Sequence, residues 1–224
     1  MKNAEFIRRE AINWILILAP FIYIYLVHDR LPRFAPFSAD RGQGIYQVIM
    51  FVMGLSLMWY LVYLIKPLMV PKTTYNENLK NFHKIRSIML AFTSLLSMTF
   101  ISQKIGIPFN WSKLGFILGM IYLMAIGNLY PTIRYNYFIG IKNSWTLSNE
   151  EIWRKTHRFA GKVFFWGGVA GALYGIIFNV NPVPFMPLVY VGYVFAISYA
   201  PRLYSYWLYR QQHCQHSESL PQNS

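Results

Sequence analysis

The side chains best equipped for chemistry fall in one stretch, from Gly127 to Lys162. Asn128 and Asn136 offer amides that can satisfy backbone groups left open by Pro131 and a helix end. Trp145 and Trp153 each offer one indole N–H. Trp153 and His157 stand four apart, so a helix places them on one face. His157 is the one group of the stretch whose ordinary titration lies near neutral pH. Gly140, Lys142, Thr146 and Gly161 complete the set of candidate residues. Arg154, Lys155, Arg158 and Lys162 fall on the opposite side of the same helix, where they suit lipid phosphate. Paired carboxylates for acid–base or metal-assisted work are absent from the stretch. The sequence also lacks a Walker loop and an HExxH pattern. His213-Cys214-Gln215-His216 has metal-ligand residue types but no second ligand pair, so a structural zinc site is not expected. Cys214 is the single cysteine, which excludes a disulfide scaffold. No catalytic residue, metal or cofactor is expected.

The elements that must carry these residues follow from composition. Of the 224 residues, 55% are hydrophobic, 18% aromatic and only 13% charged. Mean hydropathy is +0.29. A soluble chain of this size could not hide so much apolar surface. The net charge of +13 would suggest nucleic acid in a soluble protein. Here the charges sit between long apolar runs, as in a membrane protein, and nucleic acid is not an expected partner.

Six apolar segments are predicted to span: Ala11–Val27, Ile45–Ile65, Ser87–Ile101, Leu114–Tyr130, Val163–Val180 and Leu188–Leu203. Their lengths suit helices crossing a core about 30 Å thick. The first lacks a cleavage site and reads as a retained helix. Counting Lys and Arg by side gives sixteen with the N-terminus and five on the other. The positive-inside rule then places both termini in the cytoplasm. The fold expected is an all-α integral membrane protein in the cell membrane, with lipids as neighbours. Its spans carry only mild polar residues, such as Asn13, Ser94, Ser97 and Thr99, which disfavours an ion-coupled transporter.

Within the 127–162 stretch, the fourth helix should end near Pro131. Ser148 and Glu151 read as a capping box opening the next helix. That helix is expected to lie at the interface as a basic amphipathic element before the fifth span. The fifth span carries Gly167, Gly171 and Gly175 at four-residue spacing, and the fourth carries Gly115 and Gly119. Small residues so spaced let another backbone approach. Two readings stand: packing of these helices within one bundle, or a homodimer face.

The 127–162 stretch resembles the signature of the SdpI/YfhL family of bacterial membrane proteins. The residues that carry the resemblance are Gly127-Asn128, Pro131, Asn136, Gly140-Ile141-Lys142, Trp145-Thr146, Trp153, His157 and Gly161. Lys142 stands where the family usually has Arg, and Asn143-Ser144 where Thr-Pro is common. Lysine keeps the charge but not the bidentate fork. Leu31 to Ser38 is similar to the outer loop of a helix pair that precedes this module in longer members. The resemblance implies an SdpI-like module over 85–209, after a helix pair and cytoplasmic loop over 1–84; the polar stretch 210–224 reads by composition as a disordered tail. The resemblance also implies immunity to a secreted toxic peptide and, as in some members, signalling through a transcriptional repressor held at the membrane. The competing readings are a membrane enzyme acting on lipid-like substrates, with His157 and the basic residues at phosphate, and a small transporter. Whether the signature loop is a binding site or a structural lock stays open from the sequence.

Overall fold

A computed structural model describes residues 2–30, 54–55, 58, 72–137, 139–178 and 186–218. The predicted second span, Ile45–Ile65, lies outside these residues except at three positions. The loops at 31–44 and 179–185 lie outside them altogether. Among the described residues the regular elements are helices: α1 (Lys2–Leu26), α2 (Lys72–Lys104), α3 (Trp111–Leu129), the short α4 (Ser144–Ser148), α5 (Glu150–Ile177) and α6 (Met186–Glu218). Three of them contain stretches long and apolar enough to cross a membrane: Asn81–Lys104, Trp111–Thr132 and Glu150–Ile177.

Helix directions follow from which side chains meet. Arg86 pairs with Glu10, Ser87 donates to Asn13 Oδ1 at 2.9 Å, and the hydroxyls of Tyr23 and Ser102 lie 2.8 Å apart. Both residue numbers rise together, so α1 and α2 run parallel. Leu26 and Lys72 therefore lie toward opposite ends of the bundle. α3 returns antiparallel to α2, with Phe92 stacked on Tyr122 and Asn81 bonded to Thr132. α5 is antiparallel to α3, and α6 to α5, with Phe159 on Tyr204 and Asn149 on Gln212. One end of the bundle thus gathers Glu10, Arg86, Thr132, Asn149 and Gln212.

The core sits where α3, α5 and α6 meet, around Met120, Leu123, Ala160, Phe164 and Ile197. The glycine stripe permits it. A Cβ on Gly127 would come within 2.6 Å of the Phe165 backbone nitrogen, and one on Gly168 within 2.7 Å of the Met120 carbonyl oxygen. Gly171 lies against Met120, Gly175 against Phe116, and Gly167 against Ile197 of α6. Of the two readings of the stripe, packing within one chain is the one found. Gly119 faces Tyr190 of α6, whereas Gly115 faces open space and takes no part.

Three differences from the sequence reading concern helix extent. α2 begins at Lys72, well before the apolar run, because helix propensity continues where hydropathy stops. α5 is one helix from Glu150 to Ile177, so the basic stretch forms its first turns and not a separate interfacial helix. α6 continues to Glu218, where the sequence suggested a disordered tail from residue 210.

Candidate functional site

α3 stops as the sequence suggests. Pro131 cannot continue the hydrogen-bond ladder, and a 3-10 turn, Tyr130–Thr132, follows. The chain then runs extended at Ile133 and enters the segment that leads to α4. Asn136 is almost completely buried and organises this segment. Its Nδ2 donates to the Arg134 carbonyl at 2.6 Å, and its Oδ1 accepts from the Ile139 amide at 2.8 Å. It thus satisfies backbone groups that no helix or strand serves.

Gly140 has φ +125°, a region closed to most side-chain-bearing residues. It also faces His157 and Trp153 so closely that a Cβ would lie 2.3 Å from His157 Nε2. The next residue uses that proximity. The Ile141 amide donates to His157 Nε2 at 3.1 Å. An amide N–H can only donate, so Nε2 carries no proton. Nδ1 then bears the proton and donates to the Trp153 carbonyl at 2.9 Å. Neutral His157 is a fixed connector with both ring nitrogens committed to backbone. Its ring stacks on Trp153, centroids 4.0 Å apart, and Tyr130 packs on its flank. Trp153 donates from Nε1 to the Ile133 carbonyl at 3.0 Å, as an indole in a buried cluster requires.

The second half of the site is α4. Asn143 accepts from the Thr146 amide while Thr146 Oγ1 accepts from the Asn143 amide, a reciprocal capping box. Buried Thr146 also donates to the Ile141 carbonyl at 2.8 Å. Ile141 is thereby fixed at its N–H by His157 and at its C=O by Thr146, and its side chain enters the core. Asn143 Nδ2 reaches Ser205 Oγ on α6 at 2.8 Å. Tyr135 donates to the Leu147 carbonyl at 2.6 Å and meets Trp153 edge-on. The hydrogen bond with Tyr137, then burial, raise the Tyr135 phenol above its ordinary range, so it remains a neutral donor.

The structure therefore brings together Asn136, Gly140, Thr146, Trp153 and His157. Pro131 and Gly161 belong beside them: the Pro131 ring lies against Gly161, where a Cβ would come within 2.7 Å of it. Three expected members stand elsewhere. Asn128 is exposed on α3. Trp145 packs on Tyr206 of α6. Lys142 is exposed. The expected capping box of Ser148 and Glu151 is also displaced. Ser148 Oγ bonds back to the Trp145 carbonyl, and Asn149 caps α5 by accepting from the Glu151 amide. Asn149 follows Ser148 directly and takes its capping place, and the short α4 shifts the start of α5 by one residue.

Partners that the sequence did not single out are Asn81, Tyr130, Tyr135, Asn143, Ser205 and Gln212. Asn143-Ser144 departs from the family pattern, and the structure gives the first of these a definite use as cap and as link to α6. Arg154, Lys155, Arg158 and Lys162 are exposed, as expected of a basic face. Among the described residues there is no group of three His, Cys, Asp or Glu placed to hold a metal. Cys214 is exposed.

Residues 132–204 match the SdpI/YfhL protein family. The SdpI/YfhL match begins just after Pro131 and includes α4, α5 and α6 as far as Tyr204, so it covers Asn136, Gly140, Thr146, Trp153 and His157 and stops one residue short of Ser205. The chain is also similar to the immunity protein SdpI of Bacillus subtilis (strain 168), 26% identical over 164 residues, which is 70% of this chain and 76% of the relative. No solved structure matches it. These similarities and the long apolar helices make this a multi-pass bacterial cell membrane protein, in contact with lipid.

Proposed function

We propose that this protein protects its cell against a secreted toxic peptide, by binding at the membrane and without covalent chemistry. The observation that carries the reading is the similarity to the immunity protein, which extends over 70% of the chain, well beyond the signature segment. The toxic peptide meets the bundle from outside, and the cluster around His157 holds the opposite end rigid. In this reading both termini are cytoplasmic, and the chain crosses six times. The parallel pair α1 and α2 supports that count, since an odd number of crossings must separate two parallel spans. The cytoplasmic end, with the signature segment, is the surface available to a transcriptional repressor if the protein signals.

A role for His157 as acid or base on a lipid-like substrate is less well supported. Acid–base work needs a ring nitrogen free to meet substrate, and both are engaged by backbone. The signature segment acts as a structural lock.

The decisive experiment is survival of a deletion strain under challenge by the toxic peptide, with the gene restored or left out. Equal killing in both would refute the proposal. Within the restored strain, Asn136→Ala and His157→Ala should abolish protection at equal membrane protein level. Arg154→Gln and Lys155→Gln should leave it within about twofold, as exposed charges away from packed features usually do. The reverse pattern would make the segment an electrostatic anchor instead of a lock.

A further inference from the structure

The outward face of α5 changes character along its length. Arg154, Arg158 and Lys162 are exposed at successive four-residue steps, each about 6 Å along the axis. Trp166, 66% exposed, occupies the next step, and the exposed apolar Leu173 and Ile177 lie beyond it. A tryptophan between cations and aliphatic side chains marks the headgroup boundary of a bilayer. Lys155 is partly neutralised by its ion pair with Glu151 at 2.8 Å. Among the described residues, no acidic group pairs with Arg158 or Lys162.

A second feature adjoins these two cations. Phe159, next to Arg158 in sequence and one turn from Lys162, stacks on Tyr204 of α6 at 4.4 Å. Tyr204 stacks in turn on Trp207 at 5.7 Å, and Trp207 is 51% exposed. Three rings thus form a stack across the α5–α6 contact, at the level of the exposed Arg158 and Lys162.

We propose that this surface binds the headgroup of an anionic phospholipid, with Arg158 and Lys162 on its phosphate and the Phe159–Tyr204–Trp207 stack beside its glycerol and upper chains. Charge complementarity selects a lipid of net negative headgroup over a zwitterionic one. The ring stack selects a lipid over a free anion, which has no apolar part to cover it. The site is separate from the lock around His157, and the proposal does not depend on the immunity reading.

The test uses the full-length protein in nanodiscs containing equal phosphatidylglycerol and phosphatidylcholine, with native mass spectrometry of the lipid retained on release. Phosphatidylglycerol should be retained in preference. The double variant Arg158→Gln, Lys162→Gln should lose that preference by about thirtyfold, the scale expected when two juxtamembrane cations worth ~1 kcal/mol each are removed. Trp207→Ala should lower retention of phosphatidylglycerol without altering the circular dichroism of the protein. Lys113→Gln, at the other end of the bundle, should change nothing. Equal retention of the two lipids by the unmodified protein would overturn the proposal, as would an unchanged preference in the double variant. Thermal stabilisation by inorganic phosphate equal to that by phosphatidylglycerol would also overturn it, because it would identify an anion site without a lipid.

Discussion

Two of the helix seams of this bundle, α1–α2 and α3–α5, solve one problem differently. Between α1 and α2 the contacts are polar: Glu10 with Arg86, Asn13 with Ser87, Tyr23 with Ser102. Between α3 and α5 the glycines Gly127, Gly161, Gly168 and Gly171 let the backbones come together. Lipid offers no hydrophobic drive between helices, so association must come from hydrogen bonds or close van der Waals packing. A polar seam tolerates modest shifts in helix position, because side chains can follow. A glycine seam tolerates less, because at Gly127, Gly161 and Gly168 the close neighbours include backbone atoms, which cannot swing aside. The rigid seam is the one that borders the buried cluster: Gly161 touches Pro131 four residues after His157.

The comparison is broken most severely by Gly127→Leu. The new side chain would collide with the Phe165 backbone and with the Gly161 carbonyl. Its cost should lie at or above the upper end of the ~1–3 kcal/mol of ordinary overpacking. Little folded protein should be recovered in detergent, whereas exchange of the exposed Leu173 for Ile should leave thermal stability nearly unchanged. Arg86→Met comes next. Its charge is largely buried with that of Glu10, and removing one partner should cost between the ~1 kcal/mol of an exposed pair and the ~3–5 kcal/mol of a buried one. A midpoint of thermal unfolding equal to that of the unmodified protein would show the pair to be idle. Ser87→Ala removes one interhelical hydrogen bond, worth on average ~0.6 kcal/mol in a membrane bundle, and should lower the same midpoint only slightly. Gly115→Ala should have the smallest effect, within about ±0.5 kcal/mol, since a Cβ there meets nothing. A large loss from this last change would place a neighbour against α3 that a single chain does not supply, and would reopen the dimer reading.

Much of this contrast is legible in the sequence. Four-residue glycine spacing, the stop at Pro131 and the shared face of Trp153 and His157 are local features, set by helix geometry within a turn or two. What escapes is identity at long range. Nothing near Asn143 in sequence points to Ser205, nor anything near Asn81 to Thr132. Trp145 and Trp153 look equivalent as residue types, yet eight positions separate them across a helix break, and they pack on different neighbours. Asn128 and Asn136 look equivalent too. The first belongs to the last turns of α3, where the ladder already serves the backbone, and the second to irregular chain, where an amide side chain is needed. Hydropathy likewise marks where helices enter lipid but not where they end, which is why α2 and α6 both outrun their apolar segments.

The link from Asn143 to Ser205 and from Asn149 to Gln212 bears on the order in which the protein is made. Every residue between Tyr130 and Glu150 is synthesised before α5, yet two of its attachments are to α6, which is made later still. A chain interrupted before Ser205 would contain the complete signature segment without the fastenings that close it. The segment therefore gains these two fastenings only once α6 has been synthesised and has packed.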